Sequence, residues 1–241
     1  MRADKYLVEQ GYFETRARAQ AAIEAGGVSV NGVVIKKASS TIPEGAVIEA
    51  VAAHPYVSRA ALKLEHGLAV FGYDPKDKIC LDVGASTGGF SEILLLGGAR
   101  KVYAVDVGRD QLHDRLKSDP RLISLEGQDA RDLTPAEIDE APDLIVCDAS
   151  FIGLEKVLEI PLKLAAPGAH LIALFKPQFQ VGRANIGKGG LVKNDAAVET
   201  AAQECRSFLT QRGWSVTGWE ESPIQGGDGN REYLIAAVRE A

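Results

Sequence analysis

The chain has 241 residues, 46% hydrophobic and 25% charged, and its 27 Lys and Arg against 33 Asp and Glu give a net charge of −6. This balance supports a buried core and excludes a disordered chain, a collagen-like repeat and a disulfide-stapled miniprotein. At roughly 100–200 residues per domain, the length fits one large domain plus a small one.

A first helix is expected over about 2–10, ahead of Gly11. Thr15 is placed to cap a second helix, TRARAQAAIEAG, which stops at Gly26-Gly27. In VSVNGVVI the pair Asn31-Gly32 sits between two β-branched runs, a strong hairpin signal. Pro43-Glu44-Gly45 then makes a turn before a short last strand, AVIEAV. Two helices and a β ribbon in ~50 residues bury little core, so this segment reads as a binding module. We place the module at 1–51, a linker at 52–57 and a catalytic domain at 58–241.

The second domain opens with a helix, roughly 58–71. Strands follow at 79–83, 101–107, 122–126, 143–148 and 170–176, then a helix at 193–212 and strands at 214–221 and 231–240. Near-continuous apolar strands alternating with helices predict a parallel sheet covered on both faces. The loop SPIQGGDGN lets the last two strands pair as a hairpin, which turns the final strand antiparallel. The expected fold is therefore α/β, a Rossmann-like seven-stranded and mostly parallel sheet, with a small α+β N-terminal module.

Negative exclusions narrow the chemistry. No apolar run approaches the ~18–20 residues needed to cross a bilayer. The opening MRADKYLVEQ, with Arg2, Asp4, Lys5 and Glu9, has no signal-peptide core, so a cytoplasmic protein is expected. The three Cys form no C-x-x-C pair and the four His are scattered, so no metal is expected.

The first strand of the sheet exits into LDVGASTGGF. As a dinucleotide fingerprint it fails, because G-x-G-x-x-G needs glycine at position 86. As a nucleophile elbow, Gly84-Ala85-Ser86-Thr87-Gly88 fits G-x-S-x-G, with Asp148 and His170 to fill a triad. His170, however, precedes an apolar strand, whereas a catalytic His belongs beyond a strand's carboxyl end. The remaining reading is a nucleoside-cofactor loop, in which Gly84, Gly88 and Gly89 let backbone approach a ligand at a helix N-terminus. Asp106, ending the next strand, is placed for ribose hydroxyls. Acids at Asp82, Asp106 and Asp129 would repel a pyrophosphate but suit S-adenosylmethionine, a sulfonium cation with an amino group. Asp129, in EGQDARDL, is placed for an adenine amino group.

Four more ionisable residues fall at element ends: Lys63 in the helix before the sheet, Asp148 and Lys176 at strand exits, and Glu232 at the opening of the last strand. Two lysines and two carboxylates on one rim form a balanced cluster. A second ammonium and a sulfonium nearby favour a neutral Lys176, which could take the proton of a hydroxyl nucleophile.

At this point the whole chain resembles the TlyA (hemolysin A) family of ribosomal RNA 2′-O-methyltransferases, with an FtsJ-like catalytic domain. YVSRAALKL is similar to that family's S-R-G-G-x-K-L element, with Ala60-Ala61 for the glycine pair. LDVGASTGGF, CDASFI, FKPQF, GKGGLVKN and GNREYL match further blocks in order. The resemblance implies a fold of the S-adenosylmethionine-dependent methyltransferase type, with the cofactor loop at Asp82, Gly84, Ala85, Ser86, Thr87, Gly88 and Gly89. It also implies a Lys-Asp-Lys-Glu tetrad at Lys63, Asp148, Lys176 and Glu232. The N-terminal R-x-D…L and G-x-V-x-V-N-G pattern resembles the S-four RNA-binding fold, which implies phosphate contacts from Arg2, Arg16, Arg18, Lys36 and Lys37. Arg59, Arg183 and Lys188 are expected to add to them.

The implied reaction is methyl transfer to a ribose 2′-hydroxyl of ribosomal RNA, at a cytidine, in free RNA or a ribosomal subunit. The chain stops soon after its last strand, as in shorter relatives thought to modify large-subunit RNA. Gln180 departs from the pattern, standing where relatives often carry an acid. Charge distribution agrees with an RNA partner: residues 176–194 carry Lys176, Arg183, Lys188 and Lys193 and no acid, so one face of an acidic protein can be strongly positive. Two rival readings are a membrane-active hemolysin, for which no spanning or amphipathic segment is visible, and an RNA-binding protein with an inactive methyltransferase domain, against which the intact tetrad argues.

Overall fold

The computed structural model describes residues 1–240, which divide into two compact units, Met1–Tyr56 and the remainder from Val57 on. In the first unit α1 (Ala3–Glu9) packs on α2 (Arg16–Glu24). The Thr15 side chain accepts from the Arg18 N–H at 3.3 Å, which caps α2 as its position foretold. Strands β1 (Val28–Val30), β2 (Val33–Val34) and β3 (Ile48–Ala50) form an antiparallel sheet in the order β2-β1-β3. Asn31 and Gly32 both adopt positive φ, 51° and 77°, the two-residue turn whose twist matches a hairpin. The core is small and apolar, built on Leu7, Phe13, Ala22, Ile23, Val28 and Ile42.

The second unit opens with α3 (Ala60–Phe71), which Gly72 ends in the left-handed conformation. It continues through β4 (Ile79–Val83), α4 (Gly89–Leu96), β5 (Lys101–Asp106), α5 (Asp114–Lys117), β6 (Leu122–Glu126) and β7 (Leu144–Cys147). Then come α6 (Leu154–Val157), α7 (Pro161–Leu164), β8 (His170–Phe175), α8 (Asp195–Thr210), β9 (Trp214–Glu221) and β10 (Tyr233–Arg239). The seven strands lie in the order β6-β5-β4-β7-β8-β10-β9. The first five are mutually parallel, and β10 runs antiparallel to both β8 and β9. The chain winds outward from β4 to β6 and then returns to lay β7 on the other side. A crevice therefore opens at the carboxyl ends of β4 and β7, where connections diverge to opposite sides.

Strands β4 and β7 are buried along their whole length, as their continuous apolar sequences require. Expected boundaries shift by a residue or two where they matter most. β7 stops at Cys147 and β8 at Phe175, so Asp148 and Lys176 stand just beyond strand pairing. β10 starts at Tyr233, which leaves Glu232 just before it. Because β10 is reversed, its amino end lies with the carboxyl ends of its parallel neighbours, Tyr233 pairing with Phe175. All three side chains therefore reach the same rim.

The triad alternative is not assembled. His170 lies at the amino end of β8, where its ring stacks on Tyr73 with centroids 4.2 Å apart. The Ser86 hydroxyl meets the Gln111 amide oxygen instead, at 3.0 Å.

Candidate active site

A cavity of about 630 Å³ lies at the carboxyl rim of the sheet. Lys63, Asp148, Lys176 and Glu232 all line it, although they come from four separate segments. Lys63 Nζ donates to Glu232 Oε2 at 2.5 Å, and both side chains are more than nine-tenths buried. Lys176 Nζ donates to the Asp148 carbonyl (3.1 Å) and to Ser150 Oγ (2.8 Å), and lies 2.7 Å from Asp148 Oδ1. That last contact is an ion pair without hydrogen-bond alignment, so Asp148 Oδ1 keeps unused accepting capacity. Burying two ion pairs costs desolvation that their attraction barely repays, so stability alone is a weak reason to keep them. Chemistry is a better one.

A second cavity of about 640 Å³ adjoins the first, and Gly84, Ser86, Asp148, Ser150 and Phe151 line both. The Gly84–Gly89 turn forms part of the shared wall. Gly84 has φ 83°, and a Cβ there would lie 2.9 Å from the backbone of Ala149. Only glycine lets the β4 exit and the β7 exit approach this closely. Asp106 holds the turn in place, accepting from the N–H of Ser86 at 2.8 Å and of Gly108 at 2.7 Å. Asp82 sits beneath it, fully buried, with Oδ2 accepting from Ser91 Oγ at 2.7 Å. Burial pushes the Asp82 carboxyl up to about 7, with smaller upward pushes from Asp148 and Asp106 and an opposing pull from Ser91. Its Oδ1 has no partner among the described residues.

The structure also qualifies several sequence-based assignments. Asp129 lines the second cavity, but its carboxylate is already gripped by Arg131, which holds its pKa below the ordinary value. Arg18 donates to the Tyr56 carbonyl at 2.9 Å and its side chain is four-fifths buried, so it is not the open phosphate contact expected of it. Arg2 and Arg16 are half-exposed and converge on one carboxylate, Asp4. Lys36, Lys37, Arg59, Arg183 and Lys188 are exposed and form no ion pair among the described residues. Gln180 puts its amide oxygen against the Leu154 N–H (2.9 Å) and its nitrogen against the Glu155 carboxylate (3.1 Å), a dual task that an acid could not perform.

Four site residues escaped the sequence reading. Ser150 contacts the Lys176 amine, and Phe151 is 91% exposed with φ 65° on the rim of both cavities, 5.2 Å from the Phe179 ring. Gln178 is buried and donates to Asp228 at 3.1 Å. Asn230 accepts from the Val192 N–H and donates to the Gly190 carbonyl, which ties the cationic 183–193 loop to the segment that carries Glu232. Phe151 and Ser150 had a visible signal, since both lie in the CDASFI block beside Asp148. Gln178 and Asn230 had the same signal, lying in the FKPQF and GNREYL blocks two residues from Lys176 and Glu232.

Comparison with known proteins agrees with this geometry. Residues 56–239 match the FtsJ-like methyltransferase family and residues 1–48 match the S4 domain. The chain is 42% identical over 235 residues to "Hemolysin A" of Brachyspira hyodysenteriae, covering 97% of this chain and 98% of that protein. It is 38% identical over 236 residues to the 16S/23S rRNA (cytidine-2′-O)-methyltransferase TlyA of Mycobacterium tuberculosis, covering 97% and 88%. A solved hemolysin structure from Streptococcus thermophilus superposes with a TM-score of 0.79 at 39% identity, covering 100% of this chain and 88% of that one. No helix among the described residues is long and apolar enough to cross a membrane.

Proposed function

The chain belongs to the FtsJ-like methyltransferase family and carries an S4 domain, and from that premise we propose that it methylates a ribose 2′-hydroxyl of ribosomal RNA, at a cytidine, using S-adenosylmethionine. One observation carries the reading: two lysine–carboxylate pairs line a cavity that shares a wall with a glycine-turn crevice. The crevice suits the cofactor on its own evidence. The close approach at Gly84 leaves no side chain between β4 and β7, and the Asp106 carboxylate that lines the crevice is an acid, not an anion-binding donor. A phosphate-bearing cofactor would meet like charge there.

When bound, S-adenosylmethionine would supply an electrophilic methyl on a positively charged sulfur. Asp106 and the 84–89 backbone would hold its nucleoside end. The protein's contribution is then alignment and proton removal, and alignment of oxygen, methyl and sulfur can supply much of the acceleration. Lys176 is the group placed to receive the hydroxyl proton, with Asp148 fixing its amine. Glu232 holds Lys63, whose charge would stabilise the developing alkoxide. Phe151, exposed on the rim, offers a face on which a base turned out of its helix can stack.

RNA is held by the groups that the protein itself leaves unpaired. Lys36 and Lys37 in the 1–51 module, and Arg59, Arg183 and Lys188 in the 58–241 catalytic domain, would take phosphates. The 2′-hydroxyl requirement selects RNA over DNA, and ribosomal RNA places the protein's work in the cytoplasm.

The deciding experiment maps 2′-O-methyl groups in both ribosomal RNAs from cells with and without the gene. The reading expects at least one cytidine methylation to vanish on deletion and to return with the wild-type gene but not with Lys176→Ala. An unchanged methylation map would overturn it.

A further inference from the structure

The wall between the two cavities carries a group that the tetrad does not include. Lys176 Nζ is surrounded by three oxygens: the Asp148 carbonyl, Asp148 Oδ1 and Ser150 Oγ. The carbonyl and the carboxylate only accept hydrogen bonds, whereas a hydroxyl accepts and donates at once. Ser150 is also the only one of the residues lining both cavities whose side-chain hydroxyl touches that amine. It is exposed and lines both cavities, while Lys176 lines only the first and is 93% buried. Ser150 Oγ is therefore the more accessible of the two hydrogen-bonded groups to an incoming hydroxyl.

We propose that Ser150 is a further catalytic residue, a proton relay between the ribose 2′-hydroxyl and Lys176; the inference rests on the methyl-transfer reading above. In the step, the neutral Lys176 amine takes the Ser150 hydroxyl proton while Ser150 Oγ takes the proton of the 2′-hydroxyl. The 2′-oxygen forms its bond to the methyl carbon, and the carbon–sulfur bond breaks with its electron pair going to sulfur. Lysine ends as an ammonium, serine is regenerated, and the sulfonium becomes a neutral thioether. Proton and charge balance without another reactant, and the ammonium later loses its proton to water.

The relay shifts two protons where direct acceptance by Nζ shifts one. Single-turnover methyl transfer to ribosomal RNA, measured across mixtures of H₂O and D₂O, separates the two. The wild type should give a bowed dependence on deuterium fraction. Ser150→Ala should be slowed ~10²-fold, within the range typical of proton-transfer catalysis, with a straight-line dependence, while Ser150→Thr, which keeps a hydroxyl, should stay within about tenfold of wild type. Affinities for S-adenosylmethionine and RNA, measured by calorimetry and filter binding, should stay within about twofold for both variants. A second readout needs no turnover: in cofactor-free protein at fixed pH, the Lys176 ¹³Cε resonance should move between wild type and Ser150→Ala, since the amine loses one of its three oxygen neighbours. Should Ser150→Ala fold poorly, Ser150→Cys keeps the volume with a weak donor and is expected to be slow as well.

Wild-type-like rates in Ser150→Ala and Ser150→Cys, or a straight-line dependence in the wild type, would overturn the relay and leave the methyl-transfer reading intact. A wild-type protein that transfers no methyl at all would overturn both.

Discussion

The acids at the heart of the two units show opposite ways of using a carboxylate. In the N-terminal unit Asp4 is completely buried and saturated with donors. Arg2 grips it with two nitrogens (3.0 and 3.1 Å), Arg16 with two (3.3 and 2.6 Å), and Gln20 and the Lys5 N–H add one bond each. The arginine bonds hold its pKa far below the ordinary value. In the catalytic unit Asp148 and Asp82 each keep an oxygen with no aligned donor. Asp4, with its lone pairs filled, fixes where two guanidinium groups sit, whereas Asp148, which lines both cavities, keeps capacity to accept a further donor. Asp82 keeps its spare oxygen sealed beneath the glycine turn.

That contrast can be broken at several points. The largest effect is expected at Lys176→Ala, which should lower methyl transfer at least ~10³-fold while S-adenosylmethionine affinity changes less than about threefold, because the amine acts in the reaction and not in holding the cofactor. Rate and calorimetry on the same preparation check it. Next, Gly226→Ala would place a Cβ 2.5 Å from Glu232 Oε1 and 3.0 Å from Asp228 Oδ1. Displacing that carboxylate from Lys63 should cost ~10- to 100-fold in rate, with melting shifted by only a few degrees. A wild-type rate would show that Glu232 has freedom to move.

Asp4→Asn sharpens the scaffolding side, because two mechanisms predict opposite signs. Removing a negative charge beside two arginines should tighten RNA binding by simple electrostatics. Losing the anchor of both forks should weaken it, and we expect a weakening of ~3- to 10-fold in a filter-binding titration at fixed salt. The last test, Asp82→Asn, is read on stability and not on rate or binding. The folded-state value near 7 lies above the ordinary 3.8, so between those pH values the native protein holds more protons than the unfolded chain. Stability therefore falls as pH rises through that window, by at most ~4 kcal/mol. The asparagine variant should melt like wild type near pH 4 and higher than wild type at pH 8. Parallel melting curves across the range would place the Asp82 titration elsewhere.

Much of this was legible before any coordinates. The alternation of apolar runs and glycine turns foretold the sheet, and SPIQGGDGN foretold the reversed last strand. The shared rim of Asp148, Lys176 and Glu232 was legible because each stands where strand pairing stops, while Lys63 lies inside α3. What stayed hidden was pairing. Nothing in Arg18 itself says that its guanidinium is spent on a main-chain carbonyl 38 positions away. Asp129 likewise looked free because its partner, Arg131, lies only two residues off, where strand and helix geometry give no reason for contact. Charged residues in a sequence are candidates, and only the fold reveals which of them have already found a counter-ion.

The reversed β10 carries a consequence for how such a protein can keep its activity. The parallel strands and their glycine turn form the donor crevice without it, while the acid facing Lys63 arrives with the β9–β10 hairpin, 169 positions later in the chain. The interior of β10 is fully buried between β8 and β9, so the strand that delivers this acid is also one that the sheet cannot lose.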